Sequence, residues 1–298
     1  MAPKTKPIIG VTGATGFIGR HLVNRLIDEG YRIKAFTLEK ESNLPKQAEV
    51  IKGNLLTGNN LNSFLDGVEV IIHLAARLLP PDENMFRDNV IATDNLFEIA
   101  KNHPIKQIVY MSTAAVYGNW KKTAYRESDV CKPDTVYGLT KYLGEEILRF
   151  WKRTSEVKVT ILRPFNIYGP GNFKGVIYSF VQSAKKEGKV IIYGTGEQKR
   201  DFLYVDDAVE AIVKSVERKI SGTFNVVSGK TYSLKEVVDI FEKIMDKKIA
   251  VEYQPEEQGK PNTVTQYLGK TKKILTWRAK IGLETGLRKT IVEYDETL

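Results

Sequence analysis

Short apolar runs and amphipathic stretches alternate through the first half of the chain. Nearly continuous apolar segments at Ile8–Thr12, Arg32–Thr37, Val50–Gly53, Val68–Leu74, Gln107–Ser112 and Lys158–Leu162 read as strands buried on both faces. Between them, helical periodicity predicts helices at Phe17–Asp28, Asn60–Leu65, Phe86–Asn102 and Val136–Lys152. This alternation predicts a parallel sheet with right-handed crossovers and helices on both faces, a doubly wound α/β fold. Ligands of such sheets bind beyond the C-terminal ends of the strands.

After Leu162 the rhythm breaks. Arg163 to Lys174 is rich in Pro, Gly and Asn and reads as an irregular, functional loop. Helices are then expected at Tyr178–Glu187, Asp206–Glu217 and Leu234–Met245, with strands at Val190–Tyr193 and Thr223–Val227. From Ala250 onward one strand-like segment and two short helices are expected. No clean linker and no internal repeat occurs, so two interleaved lobes are expected. Residues 1–165, joined in space by about 201–228, would form a dinucleotide-binding domain. Residues 166–298 would mostly form a smaller, substrate-binding α/β lobe over the C-terminal edge of the sheet.

The stretch GVTGATGFIGRH joins the first strand to the first helix. Gly13, Gly16 and Gly19 allow a tight turn, close approach of a pyrophosphate, and close packing of the helix on the strand. The helix start then offers N–H groups and a positive dipole end to phosphates. In the same domain Tyr137 and Lys141 form Tyr-x-x-x-Lys, which on a helix puts both on one face. An ammonium beside a phenol favours the phenolate, so Lys141 is expected to lower the Tyr137 pKa and make it a general acid/base.

The chain has 298 residues, 42% hydrophobic and 27% charged, as in an ordinary globular protein. Its net charge of +9 comes from scattered Lys and Arg, with no basic run and no aromatic-interleaved motif, so nucleic acid is not an expected partner. A phosphate-bearing substrate suits the sign. A single cysteine, Cys131, excludes a disulfide framework within the chain and is read as incidental. His21, His73 and His103 are dispersed, and no metal is expected. No signal-like apolar region and no membrane-length apolar stretch occurs, so a cytoplasmic location without membrane attachment is expected.

With these motifs in order, the chain resembles the extended short-chain dehydrogenases/reductases, specifically their nucleotide-sugar epimerase/dehydratase group. The resemblance runs over nearly the whole length: TGATGFIG, HLAAR, NVIATDNLFEIA, MSTAAVYG, YGLTK, RPFNIYGPG, RDFLYVDDA and LTWRAKIGLETGLRKTI. It implies a Rossmann-type domain binding NAD, with NADP open. It places Gly13, Thr15, Gly16, Phe17, Ile18, Gly19, Thr37, Asn54, Leu55, Leu74, Ala75, Ala76 and Pro164 along the cofactor, together with Tyr137 and Lys141. It implies that Tyr137 is the base and that Lys141 binds the nicotinamide ribose and tunes Tyr137. Thr113 would hydrogen-bond the reacting sugar oxygen. Asn166, Arg200 and Lys260 would hold a nucleotide-diphosphate sugar. A homodimer through Phe86–Asn102 and Val136–Lys152 is also implied.

Departures from the family pattern narrow the chemistry. Ala114 and Ala115 stand where dehydratases carry an acidic pair, and methyl groups cannot move protons, so dehydration is not expected. The Glu that decarboxylating relatives keep before Val-Tyr-Gly is missing too. Thr37 stands where NAD-preferring members have an acid, which removes repulsion against a 2′-phosphate. Near the end, PEEQGKP puts Glu256 and Glu257 where a cation is expected, and Lys260 is the substitute it offers. The reading is a nucleotide-sugar 4-epimerase working through a 4-keto intermediate. The alternatives are a 4-keto-6-deoxyhexose reductase and a redox-sensing NAD(P)-binding regulator; intact Thr113, Tyr137 and Lys141 weigh against the regulator.

Overall fold

The computed structural model describes residues 6–39, 43–79, 81–118, 124–255, 263–264 and 266–296. The first half runs β1 (Ile8–Thr12), α1 (Phe17–Asp28), β2 (Arg32–Thr37), β3 (Glu49–Lys52), α2 (Leu61–Leu65) and β4 (Val70–His73). It continues through α3 (Glu83–Phe86), α4 (Ala92–Ala100), β5 (Gln107–Met111), α5 (Val136–Lys152) and β6 (Lys158–Pro164). The second half contains β7 (Ile167–Tyr168), α6 (Gly175–Glu187), β8 (Lys189–Tyr193), β9 (Lys199–Asp201), β10 (Leu203–Tyr204), α7 (Val205–Arg218) and β11 (Gly222–Val226). Then follow β12 (Thr231–Ser233), α8 (Leu234–Met245), β13 (Ala250–Gln254), β14 (Thr263–Val264) and α9 (Leu283–Glu296).

Seven strands form one sheet in the order β11-β6-β5-β4-β1-β2-β3. Every neighbouring pair is parallel. The winding reverses between β1 and β4, which opens a crevice at their C-terminal ends. Each face is covered, so the strands are apolar throughout. On one face, Leu22, Val23 and Leu26 of α1 share a core with Val209, Ile212 and Val216 of α7. On the other, Phe64 of α2, Leu96 and Phe97 of α4 and Leu148 and Trp151 of α5 form a second core.

The strands of the first half match the apolar runs to within one or two residues at their ends. The helix expected at Phe86–Asn102 is instead broken by a π turn at Arg87–Ile91 between α3 and α4. The wider turn turns Asn89 inward, where it donates to Thr140 Oγ1 (3.0 Å) and brackets the Arg77 backbone. Within the expected loop after Leu162, β6 runs on to Pro164, and β7 pairs with β10. Strands of two residues carry no periodicity, so pattern alone cannot reveal them. α9 spans 14 residues, longer than the short helix expected.

The remaining strands build small sheets against α6, α8 and α9. β8 pairs with β13, and β9 lies between β12 and β14. Two buried carboxylates lock this lobe to the sheet. Asp201 accepts the N–H groups of Ser228 (2.7 Å) and Gly229 (2.8 Å). Asp207 accepts those of Lys280 and Ile281, both at 2.9 Å. A capping box of Ser233 and Glu236 starts α8. Among the described residues no helix is long and apolar enough to cross a membrane.

Gly19 is buried in the first turn of α1, where a Cβ would be driven into the Gly13 carbonyl oxygen and to 2.7 Å from Ala14 Cα. Backbone on that side cannot yield easily. Gly19→Ala is therefore expected to cost about 1–3 kcal/mol in urea unfolding, the range of overpacking. An unchanged midpoint would show that α1 need not approach β1 so closely.

Candidate functional site

Two adjoining clefts occupy the crevice at the C-terminal edge of the sheet. One, of about 820 Å³, runs over the ends of β1, β2 and β3, and the other, of about 650 Å³, lies between α5 and the second lobe. Gly13, Gly16 and Ala76 line both.

The glycine turn sits where they meet. Gly13 has φ +69°, and a Cβ there would lie 2.6 Å from the Ala75 nitrogen. Gly16 N–H donates to Gly13 O (3.0 Å) and Gly16 starts α1 with no side-chain cap and no acidic residue in the first turn. The helix therefore presents its leading N–H groups and positive dipole end to the crevice, the chemistry a dinucleotide pyrophosphate requires. Beneath this turn, Thr12 Oγ1 lies 2.6 Å from His73 Nδ1, and His73 Nε2 lies 2.9 Å from Thr93 Oγ1. Thr93 spends its proton on Asn89 O (2.6 Å), so His73 donates from Nε2 and accepts from Thr12. Burial, aided by the charge of Lys141, pushes His73 down to about 3, so it stays neutral.

Thr15, Thr37, Asn54, Leu55 and Ala75 line the larger cleft. Thr37 Oγ1 donates to Glu39 O (2.5 Å), and Asn54 Oδ1 accepts Leu56 N–H (2.8 Å) in a local turn. The acceptor that Asn54 offers is thus already engaged by its own loop. Arg20, Glu39 and Arg77 line the same cleft.

Phe17, Ile18, Gly19, Leu74, Thr113, Tyr137, Lys141, Pro164 and Asn166 line the smaller cleft. Thr135 caps α5 by accepting Gly138 N–H (3.0 Å), which fixes the start of the helix that carries Tyr137 and Lys141. Thr113 accepts Ala115 N–H (3.2 Å) at the head of a short 3₁₀ turn, Ala114–Tyr117. Its hydroxyl proton is left for donation. Lys141 is buried with Nζ 4.1 Å from the Tyr110 ring centroid. One turn further along α5, Glu145 accepts from Ser112 (2.5 Å), Arg149 (2.6 Å) and both Nε and Nη2 of Arg163 (2.8 and 2.6 Å).

Burial pushes Tyr137 up to about 12, opposite to the lowering expected from Lys141. Burial also pushes Lys141 down to about 7, against the opposing charge of Glu145. Desolvation of the phenolate outweighs the ammonium, which near neutrality carries only part of its charge.

At the substrate end, Asn166 lines the smaller cleft. Asn166 sits at φ +40°, a backbone position Asn tolerates, and donates to Asp201 O (3.2 Å). Arg200 lies on β9, donates to Lys199 O (2.9 Å) and is not among the residues lining either cleft. Lys260 lies outside the described residues. Lys174 lines the smaller cleft, at the start of α6, which has no side-chain cap. The polar break before the amphipathic run from Val176 was the signal for it. Among the described residues no group of three His, Cys, Asp or Glu is placed to hold a metal.

The chain matches the model of the NAD dependent epimerase/dehydratase family over residues 9–227. A putative UDP-glucose 4-epimerase of Methanocaldococcus jannaschii is 31% identical, over 95% of this chain and 97% of that protein. The solved UDP-N-acetylglucosamine 4-epimerase of Methanobrevibacter ruminantium M1, in complex with UDP-N-acetylmuramic acid, matches with TM-score 0.91 at 27% identity, covering 99% of this chain and 100% of the other. MoeE5 in complex with UDP-glucuronic acid and NAD matches with TM-score 0.89 at 29% identity, covering 98% of this chain and 100% of the other. With its glycine turn and its Tyr-x-x-x-Lys helix facing one crevice, the chain belongs to the NAD-dependent epimerase/dehydratase family.

Proposed function

We propose that the protein is an NAD-dependent nucleotide-sugar 4-epimerase acting on a UDP-sugar. The observation that carries this reading is the crevice itself: the glycine turn, Thr113, Tyr137, Lys141 and Asn166 all line one cleft. The relatives that bind UDP-sugars support the substrate class, and the NAD complex among them supports the cofactor. Residues 1–165 with 201–228 serve as the dinucleotide-binding domain in this reading, and the rest mostly holds substrate. A cytoplasmic location belongs to this reading, and a single cysteine is compatible with a reducing compartment.

Gly13, Thr15, Gly16, Phe17, Ile18 and Gly19 would hold the cofactor pyrophosphate, with Thr37, Asn54 and Leu55 at the adenosine and Leu74, Ala75, Ala76 and Pro164 toward the nicotinamide. The cofactor, when bound, supplies reversible hydride acceptance at the sugar C4 and a cationic ring beside the phenol. Tyr137 takes the O4 proton and later returns it. Thr113 donates its free hydroxyl proton to the same oxygen and fixes its position. Lys141 binds the ribose and biases Tyr137 toward the phenolate. Asn166, Lys174 and the open N-terminus of α6 hold the substrate diphosphate. Ala114 has no exposed surface, and neither it nor Ala115 can carry a proton, so elimination of water is not supported.

A 4-keto-sugar reductase using NADPH is the second reading. It is favoured by one observation: β2 ends on the hydroxyl of Thr37 rather than on an acid, and Arg20 lines the same cleft along with Glu39. A homodimer is also proposed, through the faces of α4 and α5. Val136, Leu139 and Phe150 on α5, and Ile91 just before α4, are large apolar side chains left exposed.

Proton NMR of UDP-, dTDP- and GDP-sugars incubated with enzyme and catalytic NAD, without added reductant, is expected to show a C4 epimer of a UDP-sugar. No conversion, with turnover of 4-keto-6-deoxy sugars by NADPH, would establish the reductase instead. Tyr137→Phe is expected to lower turnover by about 10²–10⁴-fold with the fold intact; a full rate would move the proton transfer to another group. Lys141→Met is expected to raise the melting temperature of the ligand-free protein. The folded pKa of about 7 lies below the unfolded value, so the cost of burying the ammonium is complete below pH 7. It fades as pH rises toward 10.5, so the gain at pH 6 should exceed that at pH 9. A gain equal at both would reject a buried cation. Phe150→Glu is expected to yield monomers in sedimentation; an unchanged species would place any interface elsewhere.

A further inference from the structure

His21 lies on α1, one turn beyond Phe17, and does not itself line either cleft. Its part-buried ring stands edge-on to the Phe17 ring, with centroids 5.7 Å apart. Its two ring nitrogens reach two different parts of the molecule. Nε2 lies 2.9 Å from the carbonyl oxygen of Pro170. Nδ1 lies 3.5 Å from a carboxylate oxygen of Asp206, in the first turn of α7.

Neither of these neighbours has a proton to give. A carbonyl carries none. Asp206 is held below the ordinary carboxylate value, chiefly by its hydrogen bond with His21 and against burial, and the charges of His21, Lys289 and Arg25 add to this. A neutral imidazole has one N–H, so in either tautomer one ring lone pair is turned on an acceptor. The imidazolium donates to both. His73 shows the contrast: its ring sits between the hydroxyls of Thr12 and Thr93, which satisfy it while neutral. The charged groups near the pair are Arg25, taken up by Glu29 and Glu210, and Lys289 of α9, which lies 5.6 Å from the Tyr204 ring centroid.

The carbonyl that His21 reaches opens the stretch Gly171, Asn172, Phe173 and Lys174, all of which line the smaller cleft. Pro170 stands between Gly169 and Gly171, at φ +152° and +76°, so the chain here has little stiffness of its own. Asn172 Nδ2 donates to Ile167 O (3.1 Å), and Asn172 Oδ1 accepts Lys174 N–H (3.2 Å). The position of Pro170 is thereby passed on to Lys174.

We propose that His21 is a positioning residue for the substrate end of the cleft: its imidazolium form ties the wall formed by residues 170–174 to α1 and α7, and loss of the proton loosens that tie. The substrate half of this proposal rests on the reading that Lys174 and the start of α6 hold the diphosphate. The ligand governed is then the diphosphate of a nucleotide sugar, gripped more tightly below the titration of His21 than above it.

The test uses the NAD-loaded protein. Long-range proton–nitrogen NMR follows the His21 ring, assigned by its loss in His21→Gln, and the backbone amide of Gly171 is followed in the same samples. The amide is expected to shift with the midpoint of the ring, and that midpoint to fall in Asp206→Asn. Calorimetric titration with UDP-glucose is then made at about pH 6 and about pH 8.5, on either side of the ordinary histidine value. The gain in affinity toward pH 6 is expected to be about three- to tenfold larger in wild type than in His21→Gln, which keeps a donor for Pro170 but cannot be protonated. Comparison with the variant removes the contribution of Lys141, which titrates in the same interval. A Gly171 amide that stays still while the ring titrates, or a midpoint unchanged in Asp206→Asn, would overturn the tether. Equal gains in wild type and His21→Gln would overturn its bearing on substrate. Absence of UDP-glucose binding at both pH values would sink the substrate reading of the cleft and that half of the proposal with it, whereas the tether is decided by the Gly171 titration alone.

Discussion

Glu145 has no exposed surface, yet it is held as a carboxylate. Burial opposes its charge, but Arg163, Ser112 and Arg149 together keep its pKa below the ordinary carboxylate value. Through it the end of β5, the middle of α5 and the end of β6 are joined at one point. Thr113 follows Ser112 directly, and Lys141 precedes Glu145 by one turn. The spacing between hydroxyl, phenol and ammonium in the cleft therefore depends on this one buried ion pair. Breaking such a pair by removing a single partner typically costs about 3–5 kcal/mol, because the other charge stays buried.

A second constraint acts at the reversal of strand order. The neutral His73 ties Thr12 on β1 to Thr93 on α4, and Thr12 in turn receives the Ala75 N–H (3.3 Å). This holds the strip from Leu74 to Ala76 against the glycine turn. The absence of a Cβ at Gly13 and Gly19 lets strip, turn and helix meet closely. The result is a rigid crevice with backbone N–H groups at its centre, a preorganised place for negative charge.

The same burial that orders the site sets its protonation. Tyr137 is pushed up and Lys141 down, so in the ligand-free fold the phenol is neutral and the amine is only partly charged near neutrality. A cationic partner beside the phenol is what the reaction needs to reverse that balance. On the far face of α5 the charges are matched: Arg163 and Arg149 both bind Glu145, and Arg149 also pairs with Glu146. One helix therefore carries a balanced phenol and amine on one side and a closed network of two guanidinium groups and two carboxylates on the other.

The sequence by itself determined the doubly wound sheet, because strands covered on both faces must be apolar throughout and their crossover helices must be amphipathic. It also marked the glycine turn and Tyr137–Lys141, since both depend on spacing within a single turn or helix. Only the tertiary structure decided what depends on distant segments. Glu145 reads as a surface acid on an amphipathic helix until β6 brings Arg163 against it. Lys174 reads as a loop cation until the second lobe folds it into the cleft, and Arg200, singled out by its motif, lies on β9 and does not itself line either cleft. The Tyr137 phenol was expected to be lowered by its neighbour, and only burial, which no local spacing encodes, reversed the sign. A cavity around Cys131 is likewise assembled from residues 126 to 270, and a sequence pattern cannot see a wall built from parts so far apart.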